Sequence, residues 1–119
     1  GIEAVYVTAF DMLGYIRQAY STDKSEDALS RLRRFADVRV LAVDEFDKIK
    51  PTEWVQEQLT DLIDRRYRMG LSGLAGTVIA MNSDPRYQPE WIASRLLDAR
   101  NLLVQNEDAD LRTVLRWKK

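Results

Sequence analysis

The sequence predicts an α/β fold built on a parallel sheet, and three observations carry that expectation. The runs Ala4-Val5-Tyr6-Val7-Thr8-Ala9, Val38-Arg39-Val40-Leu41-Ala42-Val43 and Thr77-Val78-Ile79-Ala80-Met81 are short, β-branched-rich and almost continuously apolar. That is the pattern of parallel strands covered on both faces. Segments with helical spacing separate the runs, and alternating strands and helices pair in parallel through right-handed crossovers. The 119 residues are 45% hydrophobic and 31% charged, which describes one globular domain and not a disordered chain.

The elements follow in order. After the first run, Asp11 to about Tyr20 places Met12, Leu13, Ile16 and Ala19 on one helical stripe. Asp23 and Glu26 have capping-box spacing, so a second helix is expected from Asp23 through Leu29, Leu32 and Phe35. The second strand then leads to the longest helix. It starts near Thr52, carries Val55, Leu59, Leu62, Ile63 and Tyr67 inward, and is expected to stop at Gly70. The stretch Gly70-Leu71-Ser72-Gly73-Leu74-Ala75-Gly76 reads as the nearest thing to a flexible loop. Beyond the third strand, Pro89 suits the first turn of a helix that turns Ile92, Leu96 and Leu97 inward. Leu102-Leu103-Val104-Gln105 is a weaker fourth strand, and Asp108 to Trp117 a final helix. There is no internal repeat, low-complexity segment or linker.

Absences narrow the chemistry. Without cysteine the sequence offers no disulfide, zinc ribbon or thiol nucleophile, and without histidine it offers no imidazole catalysis or HExxH site. A metal would be a hard cation held by carboxylates, which points to Mg²⁺. The net charge of −1 argues neither for nor against nucleic acid. No apolar run reaches transmembrane length and no signal sequence opens the chain. A cytoplasmic setting is expected. Gly1, followed at once by strand-like sequence, suggests a piece of a longer chain or a trimmed or processed one.

The strongest local signal is Val40-Leu41-Ala42-Val43-Asp44-Glu45. It puts two carboxylates at the carboxyl edge of a buried strand, where ligands bind in open α/β sheets. One carboxylate can hold Mg²⁺ while its neighbour polarises a water for attack on a phosphoryl group. An acidic turn after a strand is the plainer alternative. Asn82, closing the third strand, would lie beside that pair if the two strands are neighbours, where it could orient the water or touch a γ-phosphate. Asn82-Ser83-Asp84-Pro85 is equally ordinary turn chemistry. Arg95 and Arg100 stand near the end of the next helix. An arginine there can serve a neighbouring subunit's nucleotide, or can simply form a salt bridge or cap the helix end. The groups Arg31, Arg33, Arg34 and Arg65, Arg66, Arg68 could touch phosphates of single-stranded DNA, though a solvated helix face is the default. Trp54, Trp91 and Trp117 read as core before base stacking.

Taken in order, a strand ending in Asp-Glu, a long helix, a strand ending in Asn and a helix with Ser94-Arg95-Leu96 resemble the AAA+ ATPases. Within them the series is most similar to the DnaC/DnaI helicase loaders and the related IstB transposition ATPases. Pro51 to Leu59 with Arg65-Arg66-Tyr67 resembles the loader helix that follows Walker B. Tyr6 to Ala9 with the helix after it resembles the strand and helix that follow the family's first helix. The resemblance implies a P-loop NTPase-type (AAA+), three-layer fold, with Asp44 and Glu45 as the Walker B pair, Asn82 as sensor 1, and Arg95 or Arg100 as the arginine finger. It implies ATP and Mg²⁺ as ligands. A replicative helicase, single-stranded DNA and further copies of the chain become expected partners. The sequence departs from the family in one respect: it contains no GxxxxGK followed by Ser or Thr, and the strand leading into that loop is missing too. Residues 1–119 are therefore expected to be a single partial AAA+ domain that binds nucleotide feebly by itself. A transposition ATPase, or a non-enzymatic interaction domain that keeps the fold, are the other readings.

Overall fold

A computed structural model of the chain describes residues 3–21, 27–98, 101–102 and 104. Three strands, β1 (Ala4–Thr8), β2 (Val40–Asp44) and β3 (Gly76–Ile79), form one sheet in the order β1-β2-β3. Both pairings are parallel, with Tyr6 opposite Ala42 and Ala42 opposite Val78. The expected α/β class with a parallel sheet is what the structure shows. Helices α1 (Ala9–Arg17) and α2 (Ala28–Ala36) connect β1 to β2, α3 (Glu53–Leu71) connects β2 to β3, and α4 (Glu90–Leu96) packs against α3.

The two crossovers step across the sheet in the same direction, so right-handed connections place their helices on the same face. Leu41 and Val43, alternate residues of β2, are buried on that face with Met12, Leu13 and Ile16 of α1, Leu32 of α2, and Val55, Leu59 and Leu62 of α3. Burying each such side chain contributes about 1.5–3 kcal/mol. The other face carries Tyr6, Val40 and Val78, and it is open among the described residues: Tyr6 is 68% and Val78 59% exposed. The apolar runs predicted cover on both faces, and the described residues cover only one. Continuous apolarity reports that a strand can be buried on both sides, but the described residues supply a single helical layer.

Local chemistry sets the helix ends. The Thr8 hydroxyl accepts from the Asp11 amide, so α1 begins at Ala9 and Asp11 sits inside its first turn instead of starting it. Asp27 caps α2 by accepting from the Ser30 amide. The expected start at Asp23, with Glu26, lies outside the described residues. Thr52 caps α3 through the Val55 amide. That helix runs past Gly70 to Leu71 and ends where Gly73 takes φ +74°. The Leu74 amide bonds the Met69 carbonyl and the Gly73 amide bonds the Gly70 carbonyl. This is a Schellman closure, and it needs the glycine one step beyond the cap, which is Gly73 and not Gly70. Pro89 precedes the first residue of α4 instead of lying within its first turn. Residues 101–102 and 104 are described but not as strand. The rest of the fourth strand, the final helix and Trp117 lie outside the described residues.

One side chain departs from its expected place. Arg66, read with Arg65 and Arg68 as a solvated face, is 3% exposed. Its guanidinium donates to the carbonyls of Ala36 at 3.1 Å and Gly76 at 2.7 Å, to that of Val38, and to the Thr77 hydroxyl at 2.9 Å. It therefore ties the end of α2 to the entrances of β2 and β3. Its neighbour Arg65 stays outside and pairs with Asp37 at 2.8 Å. Arg31 also works inside the chain, donating to the Tyr15 carbonyl and lying over the Tyr15 ring. Trp54 packs against the core and donates to the Tyr20 hydroxyl, as a structural tryptophan would.

Candidate functional site

The carboxyl edge of the sheet gathers three of the expected site residues. β2 ends at Asp44, at the centre of the sheet, and Glu45 follows immediately. Asp44 continues the alternation of Val40 and Ala42, so it lies on the open face. One Asp44 oxygen accepts from the Tyr6 hydroxyl at 2.5 Å and the other from the Glu45 amide at 2.8 Å. Glu45 is exposed and adopts φ 52°, ψ 43°. Among the described residues it is the sole non-glycine with positive φ. Such a conformation costs about 1–2 kcal/mol for an L residue and is concentrated at functional sites. It turns the chain at the strand end, and a 3-10 turn, Phe46–Lys48, begins at once.

The sequence predicts Asn82 at the close of the third strand; β3 ends three residues earlier, at Ile79, but it is the neighbour of β2, so Asn82 follows at the same edge. Two backbone bonds tie the strand ends together: the Ala80 amide to the Val43 carbonyl at 2.9 Å and the Phe46 amide to the Ala80 carbonyl at 3.0 Å. A carboxylate that the sequence reading passed over completes the join. One oxygen of Asp47 accepts from the amides of both Asn82, at 3.1 Å, and Ser83, at 2.8 Å. Burial raises the Asp47 pKa, but the hydrogen bonds from Ser83 and Asn82 outweigh it and hold the carboxyl below its ordinary value. The Asn82 side chain is exposed.

Arg95 is not part of this edge. Its guanidinium bonds Asp64 of α3 at 2.9 Å and lies over the Tyr67 ring, 4.9 Å from the centroid. Arg100 lies outside the described residues.

The oxygen donors suit Mg²⁺ of the kind that takes one or two carboxylates and draws its other ligands from water and phosphate. Asp44 is the group that would hold it. No cluster of three or more carboxylates able to cage a metal occurs among the described residues. Nor is any described helix long and apolar enough to cross a membrane.

No protein-family model matches the sequence, and no curated protein does. Among solved structures, the AMPPCP-bound DnaA of Aquifex aeolicus aligns with 80% of this chain at a TM-score of 0.63 and 14% identity. The aligned part is 29% of that protein's length, so this chain spans under a third of it. At that identity the likeness concerns the fold alone: the three parallel strands and their helices have the arrangement of part of the DnaA structure.

Proposed function

We propose that this chain is the part of an AAA+ ATPase that follows the phosphate-binding loop, in a protein of the helicase-loader type acting in the cytoplasm. The observation that carries the reading is the shared edge. Asp44 ends the central strand with Glu45 directly after it, and an exposed asparagine lies three residues past the end of the strand beside it. Asp44 would help to hold Mg²⁺ on ATP. Glu45 would take the proton of the attacking water, and Asn82 would orient that water or the γ-phosphate. The nucleotide analogue on the DnaA structure supports a nucleotide at this kind of fold.

The face of Tyr6, Val40 and Val78 and the outer side of β3, both open among the described residues, support a place for the strand and helix that flank a phosphate loop. Arg95 is the first choice for a finger reaching a neighbouring subunit, with Arg100 in reserve. Its bond to Asp64 joins two partly exposed groups and is worth at most about 1 kcal/mol, so exchanging that carboxylate for a phosphate is cheap. Loading of a replicative helicase on single-stranded DNA, by copies of the protein that self-associate through the finger, completes the proposal. Transposition of the IstB type is the nearest competitor.

The test is steady-state ATP hydrolysis by the complete polypeptide beside residues 1–119 alone. Turnover is expected in the complete polypeptide and absent from the short chain, because positioning of the phosphates dominates phosphoryl transfer. Turnover by residues 1–119, abolished by Glu45→Gln, would refute the assignment to a partial domain. A complete polypeptide without a phosphate-loop lysine and without turnover would favour a non-enzymatic interaction domain.

A further inference from the structure

We infer that Asp47 is a positioning residue, the brace that sets Asn82 against the Asp44–Glu45 edge; the inference deepens the functional reading above and rests on it. Asn82 stands on a loop past the end of β3, where the sheet no longer dictates its place. The last inter-strand bond there joins the Phe46 amide to the Ala80 carbonyl, two residues short of Asn82. Among the described residues, the hydrogen bonds that hold the Asn82 and Ser83 amides beyond that point both end on one oxygen of Asp47.

Asp47 itself is tied closely to the carboxylate pair along the chain. It lies three residues beyond Asp44, inside the 3-10 turn that the left-handed backbone of Glu45 launches, and the neighbouring Phe46 ring is buried in the core. A displacement of Asn82 relative to Glu45 must therefore stretch the Asp47 bonds. The distance between a base and a water-orienting amide is the kind of geometry in which a 1 Å error costs about a hundredfold in rate.

Asp47 is also an uneconomical choice if its task is only to close a turn. Its second oxygen is buried and without a hydrogen-bond partner among the described residues, and a buried acceptor left unsatisfied is destabilising. A serine or asparagine closes such turns without a buried charge. Retaining an ionised, doubly accepting group fits a demand for short, strong bonds at one particular loop, since bonds to a carboxylate are about twice as strong as neutral ones.

The experiment compares wild type with Asp47→Asn and Asp47→Ala in residues 1–119 by amide hydrogen exchange. Asparagine keeps an acceptor oxygen without the charge, and alanine keeps none. Exchange at Asn82 and Ser83 is expected to rise about tenfold or more in the alanine variant and less in the asparagine variant. Val43, Ala80 and Phe46 amides should stay within about twofold of wild type. If alanine prevents folding, the asparagine variant decides: its rise must be selective for Asn82 and Ser83. A uniform rise across the sheet, or none at those two amides, overturns the inference. A second readout is specific to positioning. In wild type the Asn82 and Ser83 amide resonances should titrate together in the acid range with the Asp47 carboxyl, and Asp47→Asn should abolish that titration. Its persistence in the variant would assign it to another group and overturn the inference. In the complete polypeptide, Asp47→Asn should lower kcat by about tenfold or more while KM for ATP moves less than threefold. A wild type that hydrolyses no ATP would defeat the functional reading, and the amide measurements would still decide whether Asp47 places Asn82.

Discussion

Replacing Arg66 by methionine should cost this fold a large share of its stability. The side chain is 3% exposed, and four of its bonds, to Ala36, Val38, Gly76 and Thr77, join α2, β2 and β3. Each bond from a charged donor contributes about 1.5–3 kcal/mol, or roughly 6–12 kcal/mol for the four before opposing terms. Taking the guanidinium out of water costs several kcal/mol, and that burial pulls its pKa below the ordinary value. Methionine removes both contributions but leaves the carbonyls buried and unpaired, so the net loss should resemble that of a broken buried charge interaction, about 3–5 kcal/mol. Small domains have about 5–15 kcal/mol in all. With a urea slope of about 1–3 kcal/mol/M, the midpoint should fall by roughly 2 M. Lysine should recover only part of the loss, because three donors at one point cannot match a planar fork spread over four acceptors. A midpoint shift in Arg66→Met below about 0.3 M, equivalent to less than 1 kcal/mol, would refute this reasoning.

Other expectations follow from the site. Glu45→Val should lower stability by about 1–2 kcal/mol in thermal melts, because a β-branched residue resists φ 52°, whereas Glu45→Gly should not. Equal melting temperatures for the two would contradict the left-handed backbone. Asp47 has a folded-state pKa below its ordinary 3.8. Its contribution is present above the unfolded value and fades as pH falls through the lower folded one. Asp47→Ala should therefore flatten the acid limb of stability below about pH 4, and an unchanged limb would count against the Asn82 and Ser83 bonds. In the complete polypeptide, mixing inactive Arg95→Ala with inactive Glu45→Gln should restore some ATP hydrolysis, since some interfaces regain both groups. If mixtures that co-assemble stay inactive, with Arg95→Ala and likewise with Arg100→Ala, both arginines act within their own subunit.

The strands and the helices between them were legible because each buries a continuous or periodic apolar pattern, and Leu41, Val43, Met12, Ile16, Leu59 and Leu62 are all in the core. The placing of Asp44, Glu45 and Asn82 at one sheet edge was legible for the same reason: it follows once β2 and β3 are neighbours. What escaped the sequence depends on register or on a partner far along the chain. Tyr6 reaches Asp44 because the strands align Tyr6 with Ala42, and no local pattern encodes that alignment. Asp47 carries no local signal, because its partners, the Asn82 and Ser83 amides, lie 35 and 36 positions further along the chain. Arg66 shows the sharpest contrast. A charged residue on a helix normally faces water, and only the converging carbonyls of three elements make its burial affordable. Its spacing from Leu59, Leu62 and Ile63 on the inward stripe of α3 was the available signal. The open face of the sheet was not legible, since apolarity records what a strand can bury and not what covers it.

The central claim, that Glu45 is the base of an ATP-hydrolysing edge, is tested most directly by ATP hydrolysis and nucleotide affinity of the complete polypeptide with and without Glu45→Gln. An amide cannot accept the proton of the attacking water, so hydrolysis should fall by about 10²–10⁴ while nucleotide affinity is retained. A rate within about twofold of wild type would contradict the account, because it lies far short of the loss expected for a general base.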